Sequence, residues 1–330
     1  MKEIRIGMIG YAFMGKAHSN AYRQVRHFMG SKVRPVMKVI CGLYKDAAEE
    51  AKNRLGWEES TTSWQEVVER DDIDLIDISS PGYTHFPIAV AAARAGKHIL
   101  CEKPLANTLK EARAMRDAAK KAKVRTMVGF NYRRVPAVAL AKELISQNKL
   151  GRIFHFRGTY LQDWIIDPSF PLVWRLQKPL AGSGAHGDLN AHITDLAQHL
   201  VGDIDEVAGL DTTFIKDRPL ASGEAAGGLK GKGGKKRGKV TVDDATLFLA
   251  KFKNGAVGTF EATRFAQGRK NYNRFEINGE RGSLAFNFER MNELEFFDAT
   301  QPRKLQGWST ILATEEIHPY IKAWWPPGHL

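Results

Sequence analysis

The sequence predicts an α/β protein in two parts. Residues 1–130 read as a Rossmann dinucleotide-binding domain, and residues 131–330 as an α/β domain with an open, mainly antiparallel sheet. Three observations carry this. Short apolar runs alternate with helical patterns in the first part, which indicates βαβ units and a parallel sheet. A glycine turn joins the first run to the first helix. From Ile204 onward the runs follow one another with tight-turn signals between them.

The elements follow in chain order. Ile4 to Ile9 reads as a strand and Gly15 to Val25 as a helix. Val36 to Cys41 is a second strand, followed by a helix through Ala47 to Leu55. Trp64 to Glu69 is a short helix, and Ile73 to Ile78 a strand. His85 to Ala95 is an alanine-rich helix, His98 to Cys101 a strand, Leu109 to Lys121 a helix and Thr126 to Phe130 a strand. Strands buried on both faces of a parallel sheet should be continuous apolar runs, and IRIGMI, LIDIS and HILC comply.

The pattern then changes. Pro136 to Asn148 predicts a helix, Arg152 to Leu161 a strand and Asp188 to Leu200 a helix ending at Gly202. Strands are expected at Glu206 to Ile215, Thr241 to Phe252, Ala256 to Phe265, Tyr272 to Ile277, Ser283 to Phe288 and Glu293 to Phe297. Asn254-Gly255 and Asn278-Gly279 are hairpin signals. Gly223 to Lys239 is glycine-rich and basic, and reads as a mobile loop.

The 330 residues hold 49 Lys+Arg against 37 Asp+Glu, a formal charge of +12. Six basic residues, Lys230, Lys232, Lys235, Lys236, Arg237 and Lys239, crowd into that one segment with no aromatic among them. Much of the charge is therefore local, and no nucleic-acid groove is expected. Two cysteines, Cys41 and Cys101, cannot form a disulfide framework. The start MKEIRIGMIG flows into a glycine turn and does not read as a signal peptide. No run approaches the roughly 18 apolar residues of a membrane span. A soluble, cytoplasmic protein without membrane contact is expected.

Gly10-Tyr11-Ala12-Phe13-Met14-Gly15 follows the first strand and opens a helix. It has the G-x-G-x-x-G form with Ala12 in the second glycine position. The first glycine makes the tight turn, the second lets backbone approach a pyrophosphate, and the third lets helix pack on strand. Ala12 narrows that approach by one methyl. The helix N-terminus offers N–H groups to phosphate, and Phe13 and Met14 of the turn before it are counted with the cofactor contacts. A structural strand–helix turn is the competing reading, and the βαβ context favours dinucleotide binding.

An acidic residue at the end of the second strand would hold the adenosine ribose. That strand ends Cys41-Gly42-Leu43-Tyr44-Lys45-Asp46, and Gly42 stands where the carboxylate belongs. Asp46 reads as a helix N-cap. With no carboxylate there and with Lys45 near, the cofactor is NAD or NADP, leaning to NADP.

The strand His98 to Cys101 runs into Glu102-Lys103-Pro104, at the carboxyl end of a parallel strand, where ligands bind in such sheets. A lone lysine there reads as a solvated charge. But Ala95-Gly96-Lys97-His98-Ile99-Leu100-Cys101-Glu102-Lys103-Pro104-Leu105-Ala106 resembles the signature of the glucose–fructose oxidoreductase / inositol dehydrogenase / rhizopine-catabolism family. Ser80-Pro81-Gly82-Tyr83-Thr84-His85 resembles its cofactor loop, with His85 a helix-start residue near the cofactor. Gly182-Ser183-Gly184-Ala185-His186-Gly187-Asp188-Leu189-Asn190-Ala191-His192 resembles its glycine-rich D-x-G-x-H run. Asn190 stands where glycine is usual, and His186 where leucine is. Gly129-Phe130-Asn131-Tyr132-Arg133 and Tyr160-Leu161-Gln162-Asp163-Trp164 resemble the sugar-oxidising branch. The likeness covers nearly the whole chain, with its motifs in the right order. It implies further C-terminal elements past Trp325-Pro326-Pro327-Gly328-His329-Leu330, where this sequence ends.

The resemblance implies an NAD(P)-dependent dehydrogenase of a sugar, anhydrosugar or polyol. It points to Lys103, Asp188 and His192 as catalytic: His192 the general base, Lys103 the donor that orients the hydroxyl, and Asp188 the positioner of substrate and base. Asp188 and His192, four apart, share a helix face. With Asp195 and His199 they could equally form a stripe that meets solvent. No metal is expected, although His186, Asp188 and His192 are of ligand type. Glu102, Lys103, Ser80 and Pro81 would border the cofactor. Asn131, Tyr160, Gln162, Asp163, Trp164 and Arg175 are candidate substrate contacts, with sheet packing as the alternative. Trp308, Trp324 and Trp325 read as packing or interface residues. Family members pair through the C-terminal sheet, so a homodimer or homotetramer is expected. The rival functions are a non-catalytic NAD(P)-binding regulator and an NAD-dependent glycosidase on the same scaffold.

Overall fold

A computed structural model describes residues 2–221 and 233–323. The chain divides into two compact units: Met1–Gly129 with Pro179–Gly182, and Phe130–Lys178 with Ser183–Leu330.

The first unit alternates β1 (Lys2–Ile9), α1 (Phe13–Phe28), β2 (Val33–Cys41), α2 (Lys45–Leu55), β3 (Glu59–Thr61), α3 (Trp64–Glu69), β4 (Leu75–Ile78), α4 (His85–Arg94), β5 (His98–Cys101), α5 (Leu109–Ala122) and β6 (Thr126–Val128). The strands pair in the order β3-β2-β1-β4-β5-β6, all parallel. That is the doubly wound dinucleotide order, which reverses direction beside β1 and β4. Ile6, Met8, Ile40, Ile76 and Ile78 are at most 1% exposed, as continuous apolar strands require. Thr108 and Glu111 form a capping box that starts α5, and α2 ends at Gly56 with φ +78°. Asp46 is the second residue of α2, not its cap; Tyr44 precedes the helix without a side-chain cap.

The second unit contains α6 (Pro136–Ser146), β7 (Ile153–Leu161), the short α7 (Lys178–Ala181) at its boundary, a π-helical turn (His186–Asn190) and α8 (Ala191–Leu200). The strands β8 (Ile204–Thr212), β9 (Asp217–Ala221), β10 (Gly233–Lys239), β11 (Ala245–Phe252), β12 (Val257–Thr263), β13 (Tyr272–Gly279), β14 (Gly282–Asn287), β15 (Glu293–Asp298) and β16 (Trp308–Leu312) follow. Eight of these strands form one sheet, β16-β15-β14-β13-β7-β12-β11-β8, in which only β12 and β7 run parallel. α6 and α8 cover one face. Val138, Ala141, Ile193, Leu196 and Leu200 pack there with Phe156, Phe252, Phe260 and Phe275.

Three expectations shift. Residues 233–239 are strand, antiparallel to β9, rather than loop. Backbone pairing and the ion pair between Arg237 and Asp217 hold them, and an exposed ribbon needs no apolar alternation. The rest of the basic segment, with Lys230 and Lys232, lies outside the described residues, as do Trp324 and Trp325. Asn278-Gly279 is not the turn: both residues lie in β13, which turns at 280–281, because Asn278 pairs with Ser283 across the hairpin. Finally, β3, β9 and β16 are additional strands, each too short or too polar to signal itself.

Candidate active site

In the first unit, Gly10 has φ +114°, and a Cβ there would lie 2.6 Å from the Ser79 carbonyl carbon. Only glycine fits on both counts. It hydrogen-bonds through its N–H to Cys41 O at 2.8 Å, tying the turn to the end of β2. Ala12 precedes α1 without a side-chain cap, and the first turn holds no acidic residue. The N–H groups there suit an anion. Phe13 is 69% exposed, Met14 is half-buried, and Gly15 packs against Gly10.

At the end of β2, Tyr11 covers Gly42 so closely that a Cβ would sit 1.7 Å from its ring. Lys45 opens α2 on the surface, and Leu43 is 76% exposed. No acidic side chain stands at this strand end before Asp46. Ser80 and Pro81 follow β4. The Ser80 hydroxyl and that of Thr84 are 2.6 Å apart. His85, 1% exposed, reaches Ser80 O and Pro104 O, both at 2.9 Å, so it staples the two loops. Burial pushes its imidazole below the ordinary value, against the opposing pull of those carbonyls. Glu102 is buried beneath half-buried Lys103, whose bond to Pro104 is cis.

The second unit gathers most of the other predicted residues. The π turn widens the helix at His186–Asn190, so Asp188 and His192 are not related by a regular helical turn. Such bulges occur at functional positions. Asp243 holds the turn's start: its carboxylate accepts from Gly184 N–H at 2.6 Å, His186 N–H at 2.7 Å and the Thr246 hydroxyl at 2.9 Å. His192 is 6% exposed and Asp195 7%, so the middle of the stripe is withdrawn from solvent. Asp195 pairs with Arg133 instead. Asp188 is 30% exposed, with Arg264 Nη1 3.8 Å from its carboxylate.

The His192 ring stacks on Tyr132 at 4.3 Å, with the edge of Phe130 at 6.2 Å. The Tyr132 and Tyr160 hydroxyls are 2.7 Å apart. Tyr160 donates to Asn271 Oδ1 at 2.6 Å, and the Gln162 amide donates to the same oxygen at 3.1 Å. Burial, then the neighbouring Tyr132, raises the Tyr160 phenol well above its ordinary value. Trp164 donates from Nε1 to Gln162 at 2.9 Å, and Arg264 lies 5.5 Å from its ring centre. Arg175 stacks on Trp174 at 4.4 Å, and burial lowers its guanidinium. Asp163 is tied to the 268–270 loop by Lys270 at 2.7 Å and Gly268 N–H at 3.0 Å. Asn131 is exposed at the start of a 3₁₀ turn, Asn131–Arg134.

Together these side chains supply an imidazole, a carboxylate, guanidinium groups, planar amides and an indole. Such a set suits a small ligand with many hydroxyls. Sequence reasoning missed Asp243, Arg264, Asn271 and Tyr132. Arg264 had a signal, a cation at the end of an apolar run. Asp243 and Asn271 had none, because their partners lie 59 and 111 residues away. Among the described residues no cluster could hold a metal ion, and no helix is long and apolar enough to cross a membrane.

Residues 4–130 match the family described as "Oxidoreductase family, NAD-binding Rossmann fold", and residues 138–285 the "GFO/IDH/MocA C-terminal domain". The chain is 48% identical over 329 residues to levoglucosan dehydrogenase of Pseudarthrobacter phenanthrenivorans, covering 99% of this chain and 84% of that one. It is 27% identical over 281 residues to myo-inositol 2-dehydrogenase of Thermotoga maritima, covering 85% and 74%. Among solved structures, an oxidoreductase domain protein from Kribbella flavida superposes with TM-score 0.93 at 54% identity. Levoglucosan dehydrogenase in complex with NADH and levoglucosan superposes with TM-score 0.92 at 45% identity; each covers 100% of this chain and 85% of the other.

Proposed function

The chain belongs to the GFO/IDH/MocA oxidoreductase family, and from that premise we propose that it moves hydride between a secondary alcohol of a sugar, anhydrosugar or polyol and a nicotinamide nucleotide, with Lys103, Asp188 and His192 as its catalytic residues. The observation that best supports the substrate class is the second unit's set of side chains. His192 is buried against Tyr132, whose hydroxyl leads through Tyr160 and Asn271 to the Gln162 amide and the Trp164 indole. The relative with levoglucosan bound in its solved structure favours an anhydrosugar.

The first unit's residues fit NAD: the strained Gly10, the close Gly15 and the uncapped start of α1 leave room and N–H groups for a pyrophosphate. When bound, NAD supplies the hydride acceptor. Gly10 to Gly15 would hold its phosphates, with Ser80 and Pro81 beside it. The His192 imidazole takes the proton from the reacting hydroxyl. The Lys103 ammonium donates from Nζ to the same oxygen and stabilises its developing charge. Asp188 holds substrate and base in place. Trp164 offers a flat face to the sugar ring, while Gln162 and Arg175 meet hydroxyls.

A panel of anhydrosugars, pyranoses and polyols, followed by the absorbance of reduced nucleotide, tests the proposal. Turnover is expected on at least one pyranose or anhydrosugar, and Lys103→Met should lower it by about 10² to 10⁴. Binding of nucleotide with no turnover on any substrate would favour the regulator. Release of sugar without net reduction would favour the glycosidase.

Two finer points belong to the same proposal. Both nucleotides serve, with NADP modestly favoured, because no carboxylate guards the end of β2 and Lys45 is exposed there. The second is a homodimer or homotetramer formed through the sheet face opposite α6 and α8. That face carries Leu210, Leu247, Leu249 and Val257, each 41–62% exposed, and an apolar area of this kind marks an interface.

A further inference from the structure

His18 lies on α1, one turn past Gly15, and none of the roles assigned above uses it. Its ring is held between two buried carboxylates. Nδ1 is 2.8 Å from Asp77 Oδ2, and Nε2 is 3.2 Å from Glu102 Oε1. Asp77 sits at 0% exposure in the middle of an apolar strand, where burial would ordinarily exclude a charge. It also accepts from the Tyr22 hydroxyl at 2.7 Å and the Ser79 hydroxyl at 2.9 Å. Glu102, 6% exposed, accepts from the backbone N–H of Lys103 at 3.2 Å. Gly129 closes its other side, where a Cβ would be 2.3 Å from Glu102 Oε1.

Both ring nitrogens face carboxylate oxygens, so both must donate, and the ring is an imidazolium. Burial alone would lower it, but the hydrogen bonds it donates to Asp77 and then Glu102 override this and raise it to about 10. Two buried carboxylates without a counter-charge are costly, so the bridge is the element that lets them stay. Hydrophobic residues of similar size often stabilise such a position equally well, so the cluster is weak evidence for a purely structural role. What the three charges do achieve is a link between α1, the end of β4 and the residue just before Lys103.

We propose that His18 is a positioning residue for Lys103: by bridging Asp77 to Glu102 it fixes the backbone from which the lysine side chain starts. This rests on the reading of Lys103 as the group acting on the reacting oxygen. The hydrogen bonds to Glu102 leave its peptide little freedom, and the lysine inherits that order. Misplacing a reacting group by about 1 Å costs on the order of a hundredfold in rate.

The test is a double-mutant cycle on the full chain, with NAD and the best sugar of the panel. His18→Gln should lower kcat by about 10- to 100-fold, with the KM for NAD changed far less, since the pyrophosphate turn is untouched. In the Lys103→Met background the same substitution should change kcat by about twofold or less, because the group it orders is gone. Equal losses in the two backgrounds would show that His18 acts by general stability, and would overturn the proposal. So would wild-type kcat in His18→Gln. If His18→Gln does not fold, His18→Gln/Asp77→Asn removes the buried anion with its partner. Wild-type kcat in that folded pair also overturns it, and a loss confined to the Lys103 background supports it. Wild-type turnover by Lys103→Met alone would sink the reading of the lysine itself, a separate and recognisable failure.

Discussion

Asp243→Asn should cost the second unit about 3 kcal/mol and loosen the turn that carries Asp188. The carboxylate is 8% exposed and accepts three hydrogen bonds, Oδ1 from Gly184 and Oδ2 from His186 and Thr246. An amide must place its NH₂ where one of those oxygens was. The cheaper orientation gives up Oδ1, which loses one charge-assisted bond of ~1.5–3 kcal/mol and strands the Gly184 N–H at ~1–3 kcal/mol. The other orientation strands the His186 N–H and turns away the Thr246 hydroxyl. In domains of this size each kcal/mol moves Tm by about 2–4 °C, so a fall of about 6–12 °C is expected. Asp188 lies two residues beyond His186, so the KM for sugar should rise about tenfold while the KM for NAD holds. Thr246→Val also loses one charge-assisted bond but strands no backbone N–H, so it should cost about 1.5 kcal/mol, less than Asp243→Asn. The measurements are thermal unfolding followed by circular dichroism, and steady-state kinetics with each substrate varied in turn. Asp243→Asn with wild-type Tm and wild-type sugar KM would refute the role given to this carboxylate.

His192→Ala should lower kcat by about 10² to 10⁴, with partial recovery at high pH as hydroxide takes over; an unchanged pH–rate profile would name another base. Leu43→Asp should turn the modest NADP preference toward NAD. Leu43 is exposed, so the new carboxylate meets no obstacle, whereas any side chain at Gly42 would drive into the Tyr11 ring. The wild-type preference should be about fivefold or less, since an exposed Lys–phosphate contact is worth about 1 kcal/mol; kcat/KM for both nucleotides decides it. Leu249→Glu, 61% exposed on the open sheet face, should shift the mass in light scattering toward monomer, and an unchanged oligomer would move the interface elsewhere.

The residues that were hardest to see share one property: they act through partners distant in the chain. His18 is 59 residues from Asp77 and 84 from Glu102. In the sequence each is an ordinary polar residue, and only the odd aspartate inside LIDI gives a hint. Tyr132 looks like part of a motif until its ring is found on His192. A spacing of four residues predicts a shared helix face for Asp188 and His192, and the π turn at His186–Asn190 alters that geometry. Asp163 pairs with Lys270 and Glu102 with His18, partners that no local pattern in the sequence records.

By itself the sequence determined the Rossmann unit, its glycine turn and the strand-ending Lys103. These features depend on local rules: apolar runs of strand length, helical periodicity, and a glycine where φ must be positive. It also determined the family, through motifs spread along nearly the whole chain. Tertiary structure alone decided which groups partner each carboxylate, what lies against His192, and that residues 233–239 pair as a strand. Each of those outcomes depends on burial and on hydrogen bonds between segments tens of residues apart. A one-dimensional pattern records the side chains that make such bonds but not the distances between them.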